Sequence, residues 1–154
     1  MRLRLCVPLA AGALLVAMIV PGAAFAHGTH IKAKMSGSKV VGAAGAPNGN
    51  GTANLHLLRG KGQVKYKVKF SKIGGKAGLN IGVYKGDKGQ NGAEQFVLVD
   101  QPTNSPAKGK ATGIPSGTLK KITRNPHKYH VTVKNDSYPT DGAIRGQLKS
   151  NPND

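Results

Sequence analysis

The chain has 154 residues, and its 23 lysines and arginines against six aspartates and glutamates give a formal net charge of +17. A charge of this size favours anionic partners, because the summed field of the surface attracts polyanions. The few acids are scattered over turns and form no carboxylate pair for acid–base catalysis, and no serine stands in a nucleophile-elbow context. The composition therefore favours a binding or structural protein and argues against an enzyme.

The N-terminus has the organisation of an export signal. Basic residues precede an uncharged, mostly apolar run over residues 5–20, and Ala24-Phe25-Ala26 follows as a small-residue cleavage motif. The alternative is an uncleaved membrane anchor, but the run is shorter than the roughly 20 residues that a spanning helix needs. The sequence predicts a signal peptide over residues 1–26 and a single secreted domain over residues 27–154, without a transmembrane segment.

Cleavage would remove the one cysteine, Cys6, and two arginines, so the mature chain would carry a net charge of +15. An extracellular or cell-envelope protein without disulfides must be held together by packing and strand pairing. The anionic partners available there are acidic wall polymers, acidic glycans, lipid headgroups or extracellular DNA. No cofactor is expected.

Alternation of apolar and polar residues recurs along the mature chain, and no sustained helical period is present. Alternation places one face of a strand on a core and the other in water. With glycine and proline turns between them, about eight short strands predict an all-β fold, an antiparallel Greek-key β-sandwich. Long loops are predicted at residues 41–51 and 100–109, a frayed tail at residues 149–154, and strands at residues 31–35, 53–58, 63–70, 79–85, 95–99, 110–114, 118–123 and 129–134.

The alternation also predicts which side chains form the core. The polar residues that alternate with these core side chains, including His130, should face solvent, and so should His127 in the preceding turn. The side chains predicted to be buried are Val64, Tyr66, Val68, Tyr129, Val131, Val133, Ile144 and Leu148.

The last strand and turn carry the most specific pattern in the chain. An aromatic-Pro-x-x-Gly turn, which contains Tyr138, Pro139 and Gly142, precedes Ile144-Arg145-Gly146-Gln147-Leu148. This motif resembles the C-terminal signature of the CHRD domain, the module named after chordin. The Gly51-Thr52-Ala53-Asn54-Leu55 segment is similar to the family's early strand, and the resemblance extends over roughly residues 31–148. It implies a secreted β-sandwich without an assigned chemistry.

Two departures from the family pattern bear on function. The family carries Ala-His-Ile-His, where this chain has Leu79-Asn80-Ile81-Gly82. That His-x-His strand resembles a ligand pair of the Cu/Zn superoxide dismutases, whose sandwich the family shares in outline. Asn80 is a poor ligand for copper or zinc and Gly82 has no side chain, so a dismutase-type site is excluded at this strand.

The second departure is Ala143, where the family usually has a glutamate. If that glutamate normally pairs with the following arginine, Arg145 needs another partner. We expect Arg145 to donate to backbone carbonyls or to a loop carboxylate such as Asp141, and to brace the turn over residues 138–142.

Lysines provide the candidate anion-binding site. Lys65, Lys67 and Lys69 lie on one face of a single predicted strand, about 7 Å apart. Lys128 and Lys134 would extend this surface, together with Lys32 and Lys34, if their strands are neighbours. The alternative is a solvated outer face without a ligand. Specific nucleic-acid recognition is not expected, because few aromatic residues are available for base stacking.

A different class of function rests on histidine. If cleavage follows Ala26, His27 becomes the N-terminal residue and could chelate copper through its amine and imidazole, with His30 close behind. The alternative function is therefore that of a degenerate Cu/Zn superoxide dismutase relative that binds copper at its N-terminus.

Overall fold

The computed structural model describes residues 28–75, 79–102 and 104–151. The predicted signal peptide and His27 lie outside the described residues. Within them, nine strands and one helix are present, and all strand pairs are antiparallel, so the predicted all-β fold is confirmed. The elements are β1 (Thr29–Ser36), β2 (Asn50–Leu58), β3 (Gln63–Ser71), β4 (Asn80–Lys85), β5 (Glu94–Asp100), β6 (Ala107–Ala111), α1 (Ser116–Arg124), β7 (Tyr129–Lys134), β8 (Ile144–Gln147) and β9 (Lys149–Ser150).

The strands follow the order β5-β4-β7-β8-β1-β2-β3-β6, and β9 pairs with β1. The sheet curls until β5 contacts β6, which produces a nearly closed, barrel-like sandwich. Among the described strands, those that follow each other in the sequence also pair in the sheet in four cases: β1–β2, β2–β3, β4–β5 and β7–β8. Strands β3 and β4 are not neighbours in the sheet, and neither are β6 and β7, as in Greek-key topologies, where long connections join strands that do not pair.

The core follows the predicted alternation. Ile31 lies opposite Leu55, and Leu57 lies opposite Val64, so that inward rows from three strands pack together. Tyr66 is only partly buried, and its ring extends over Gly109 of the edge strand β6. The other side chains predicted to be buried are buried as expected: Val64, Val68, Tyr129, Val131, Val133, Ile144 and Leu148.

One predicted strand is wrong. Residues 118–123 lie in the helix α1, whose Leu119 and Ile122 are at most 1% exposed. Side chains three residues apart share one face of a helix, whereas in a strand they would point to opposite faces. The helix packs against β2 and the 3-10 turn Arg59–Lys61, where its apolar face closes one side of the core.

Two further boundaries differ from the prediction. The sixth strand is Ala107–Ala111 rather than residues 110–114, so the preceding loop is shorter than expected. Its inward residues are alanines, which give a weak hydrophobic signal between lysines. Lys149–Ser150 pairs with β1 and is not a frayed tail.

The strand phase gives a direct stability test. Val68→Ala should lower the free energy of unfolding by about 1–3 kcal/mol, because Val68 is fully buried and its loss leaves a cavity. Lys67→Ala should change it by no more than about 0.5 kcal/mol, because Lys67 is exposed. Urea denaturation of the two variants measures both values, and equal losses would show that the phase of β3 is wrong.

Candidate anion-binding surface

Lys65, Lys67 and Lys69 all lie exposed on the outer side of β3. Val64 and Val68, between and beside them, point into the core. The predicted juxtaposition of the three lysines along one strand is therefore present in the structure. The neighbouring strands decide how large this basic surface is.

The neighbouring strands contribute more lysines to the same outer side. Residues directly opposite each other in an antiparallel pair share a face, and adjacent strands are about 4.8 Å apart. Lys65 lies opposite Lys110 of β6, and across β2 the next strand again presents lysines. We call this surface the lysine face, which consists of Lys32, Lys34, Lys65, Lys67, Lys69, Lys108, Lys110 and Lys149.

The outward positions of β1, β2, β3, β6 and β9 contain no aspartate or glutamate. Lys65 stands directly opposite Lys110, and Lys67 directly opposite Lys108. Like charges in such cross-strand pairs are destabilising. A surface whose only role is solvation would gain from mixed charges, so the segregation of lysine favours the binding interpretation. The lysines of β6 also protect a sheet edge from unwanted pairing.

Lys128 and Lys134 do not belong to the lysine face, which corrects the prediction. Lys128 ends the 3-10 turn Pro126–Lys128, and Lys134 lies in β7, which β8 separates from β1. The Lys134 ammonium lies 5.0 Å from the centroid of the Tyr84 ring, within cation–π range. The sequence could not show this, because the separation depends on strand order.

Two histidines lie within the lysine face. His30 and His56 are cross-strand partners, and their rings stack at 4.0 Å with an interplanar angle of 11°. The in-plane lone pairs of two parallel stacked rings do not converge on one ion. Among the residues that the structure describes, no group of three or more histidine, cysteine or acidic side chains could hold a metal. The copper hypothesis depends on His27, which lies outside the described residues.

Strand β4 corresponds to the strand that carries the His-x-His pattern in the family. In this chain its own side chains occupy the space that a metal would need. Gly82 faces Thr132 of β7, and the Tyr84 ring lies over it. A Cβ at residue 82 would be 2.9 Å from that ring, and the Tyr84 hydroxyl donates to Glu94 at 2.7 Å. Gly82 and Tyr84 therefore fit each other, and a histidine at position 82 would require the Tyr84 ring to move.

His130 is buried, which corrects the expectation that it faces solvent. It is 3% exposed, because Gly86 and its loop cover the outer side of β7. Burial, and to a lesser extent the nearby Arg145 charge, lower its pKa to about 4, although a hydrogen bond to the Gly86 backbone partly opposes both effects. Its Nδ1 has no hydrogen-bond partner among the described residues. The imidazole is therefore neutral near pH 7.

This burial predicts a pH dependence of stability. The unfolded chain protonates His130 near its ordinary pKa of 6.5, whereas the folded chain does so only near pH 4. The stabilisation is therefore complete above pH 6.5 and is lost as the pH falls towards 4, by about 1–3 kcal/mol. Urea denaturation between pH 7 and pH 4.5 should show this loss in the wild type and a smaller one in His130→Gln. Parallel pH curves would contradict it.

Hydrogen bonds hold the Arg145 side chain in place, as predicted, but they join it to a different loop from the one predicted. It is 2% exposed, and its guanidinium donates to Asp87 O at 3.0 Å, Gln90 O at 2.6 Å and Asn91 Oδ1 at 3.0 Å. It thus braces the loop over residues 86–92 rather than the turn over residues 138–142. Asn91 in turn donates to Asp141 Oδ1 at 3.2 Å, so the turn is reached only indirectly.

The rest of the C-terminal motif is structural. Ile144 and Leu148 are fully buried, and Gly146 lies so close to β1 that a Cβ would be 2.6 Å from Lys34 O. Gly142 adopts a φ of +94°, which favours glycine. Tyr138 is partly buried and donates its N–H to Asn135 O, whereas Pro139 is exposed. The Gln147 amide donates to the backbone carbonyls of Gly86 and Tyr129.

A comparison with protein families gives a match that covers most of the described residues. The family model of the CHRD domain matches residues 31–148. Neither a curated protein nor a solved structure matches the chain. In the part of the chain that the structure describes, no helix is long and apolar enough to cross a membrane.

Proposed function

The chain belongs to the CHRD-domain family, and from this membership we propose that it is an exported binding module that holds anionic polymers on its lysine face. CHRD domains are non-enzymatic, binding-type modules that occur in extracellular proteins. The proposal adds a ligand class and a surface. The ligands are acidic wall polymers, acidic glycans or anionic headgroups, and charge provides most of the affinity.

The observation that carries the proposal is the segregation of eight lysines on one side of the sheet. Strands β1, β2, β3 and β6 run side by side, so the lysine face is a continuous surface rather than a set of isolated cations. Strand geometry sets the ammonium groups roughly 5–10 Å apart. A polymer with regularly repeated negative charges can therefore contact several of them at once.

Lysine also defines what kind of recognition is possible. Its ammonium is a compact, strongly hydrated point charge on a flexible stem, without the fixed geometry of an arginine fork. Such a surface selects for charge density and reads little stereochemistry. Among the outward positions of the described strands β1, β2, β3 and β6, no phenylalanine, tyrosine or tryptophan offers a stacking platform for bases. Specific nucleic-acid recognition is therefore not part of the proposal.

Salt dependence tests this function. Binding of the mature protein to an acidic glycan and to anionic vesicles should weaken steeply between about 50 and 500 mM salt, because screening acts on exposed charges. A neutral polysaccharide of similar length serves as the control ligand and should not bind. Salt-insensitive binding, or equal binding of the neutral polymer, would overturn the proposal.

A further inference from the structure

A basic cavity of about 480 Å³ opens at one margin of the lysine face, where β1 meets the chain segment that contains β8 and β9, and it shares Lys32, Lys34 and Lys149 with that face. No aspartate or glutamate of the described chain is among the residues that line it. We call this cavity the basic pocket. Its charged residues are Lys32, Lys34, Lys39, Lys88, Lys149 and Arg145.

Four separate parts of the fold bring these lysines together. Lys32 and Lys34 project from β1, and Lys149 of β9 stands opposite Lys32. Lys39, in the 3-10 turn after β1, folds back so that its ammonium donates to Lys34 O at 2.8 Å. Lys88 comes from the loop over residues 86–92. Like charges converge here from distant parts of the sequence, which costs stability unless an anion offsets their repulsion.

Arg145 gives the pocket its fixed charge. It is 2% exposed, and the three hydrogen bonds that it donates hold the loop that carries Lys88. A cation in a partly water-excluded wall acts at longer range than one in bulk water. The guanidinium therefore both positions Lys88 and contributes positive potential to the cavity. Gln147, next to it in the wall, is held by backbone carbonyls of the same region.

We propose that the basic pocket binds a phosphomonoester or diphosphate group. A phosphate monoester carries up to two negative charges and three acceptor oxygens, and lysine is a common phosphate ligand as a point charge. A single carboxylate would offset only one of the cations. The volume lies within the usual range of roughly 300–1,000 Å³ for small-ligand sites, so a phosphorylated sugar or a polymer end group fits. This inference rests on the proposed function, since it names the end group that the module would recognise.

Calorimetry with inorganic diphosphate tests the pocket directly. Wild-type protein should bind one diphosphate with saturation, and the Lys39→Gln/Lys88→Gln variant at least tenfold more weakly. Both residues are exposed and lie outside the lysine face, so the variant should fold. Lys108→Gln/Lys110→Gln on the lysine face is the matched control, and its affinity should change less than threefold. Absence of saturable diphosphate binding, or an equal loss of diphosphate affinity in both variants, would overturn the proposal that the basic pocket binds phosphate.

The same variants separate this inference from the proposed function. Binding of an acidic glycan should fall in the Lys108→Gln/Lys110→Gln variant and persist in the Lys39→Gln/Lys88→Gln variant. If glycan binding follows this pattern while diphosphate does not bind, the proposed function of the lysine face is supported and the proposal for the basic pocket is wrong. Vesicles with phosphatidic acid in phosphatidylcholine distinguish a lipid source of the phosphate from a soluble one. Pocket-dependent binding to them assigns a headgroup, and pocket-dependent binding of diphosphate alone assigns a soluble or polymer-borne phosphate.

Discussion

Replacing Arg145 with methionine is expected to lower the free energy of unfolding by about 3 kcal/mol. The side chain is 2% exposed and donates to two backbone carbonyls and one amide oxygen of the loop over residues 86–92. Methionine fills part of the space but leaves these acceptors without their donors, and unpaired buried acceptors are costly. Urea denaturation should show a lower midpoint with an unchanged slope.

Two comparisons make this prediction specific. Arg145→Lys should retain the charge but lose the planar set of guanidinium donors, and it should lower the free energy of unfolding by roughly 1–2 kcal/mol. Arg124→Met, at the exposed end of α1, removes the same group and should change stability by no more than about 0.5 kcal/mol. If Arg145→Met and Arg124→Met have the same midpoint, Arg145 does not brace the loop.

Reversing three charges on β3 should produce the largest loss of binding. The triple variant Lys65→Glu, Lys67→Glu and Lys69→Glu should bind an acidic glycan about 100-fold more weakly at 50 mM salt, which corresponds to roughly 1 kcal/mol for each reversed charge. The fold should tolerate the change, because new glutamates would stand opposite Lys108 and Lys110. Affinity measured by interferometry checks the prediction.

The matched control reverses the same number of charges elsewhere. Lys61, Lys120 and Lys121 are exposed, lie at the α1 side of the molecule and are outside the lysine face. Their replacement by glutamate lowers the net charge by the same amount and should weaken binding less than tenfold. Equal losses in the two triple variants would mean that net charge alone attracts the polymer.

Strands with strict alternation were predictable because burial on one side dictates their side-chain pattern. Val64 and Val68 alternate with lysines, and Val131 and Val133 are buried as that pattern requires. The same reasoning was wrong for His130, because it assumes that the outer side of a strand meets water. Here a loop from a distant part of the chain covers β7, and no local pattern records such a cover.

The helix was missed for a different reason. Over residues 118–123 only Leu119 and Ile122 are buried apolar residues, and two positions do not establish a period. Their spacing of three was the available signal, since it fits a helix and not a strand. Strand β6 was misplaced because its inward Ala107 and Ala111 are weakly hydrophobic.

The candidate site was only partly accessible to sequence reasoning. The lysines of β3 share a face by alternation alone, but their neighbours depend on strand order. Lys108 and Lys110 join them because β6 pairs with β3, although β4 and β5 lie between these two strands in the sequence, whereas Lys128 and Lys134 lie elsewhere. The C-terminal motif identified Arg145 as constrained, but its partners lie more than 50 residues earlier in the chain.

The central claim, that the lysine face binds anionic polymers, is tested most directly by nuclear magnetic resonance of the ¹⁵N-labelled mature protein during titration with an acidic glycan. The largest changes in amide shifts should fall on β1, β2, β3 and β6 and should disappear at high salt. Changes centred on α1, or on the strands around Tyr84 and His130, would contradict the claim.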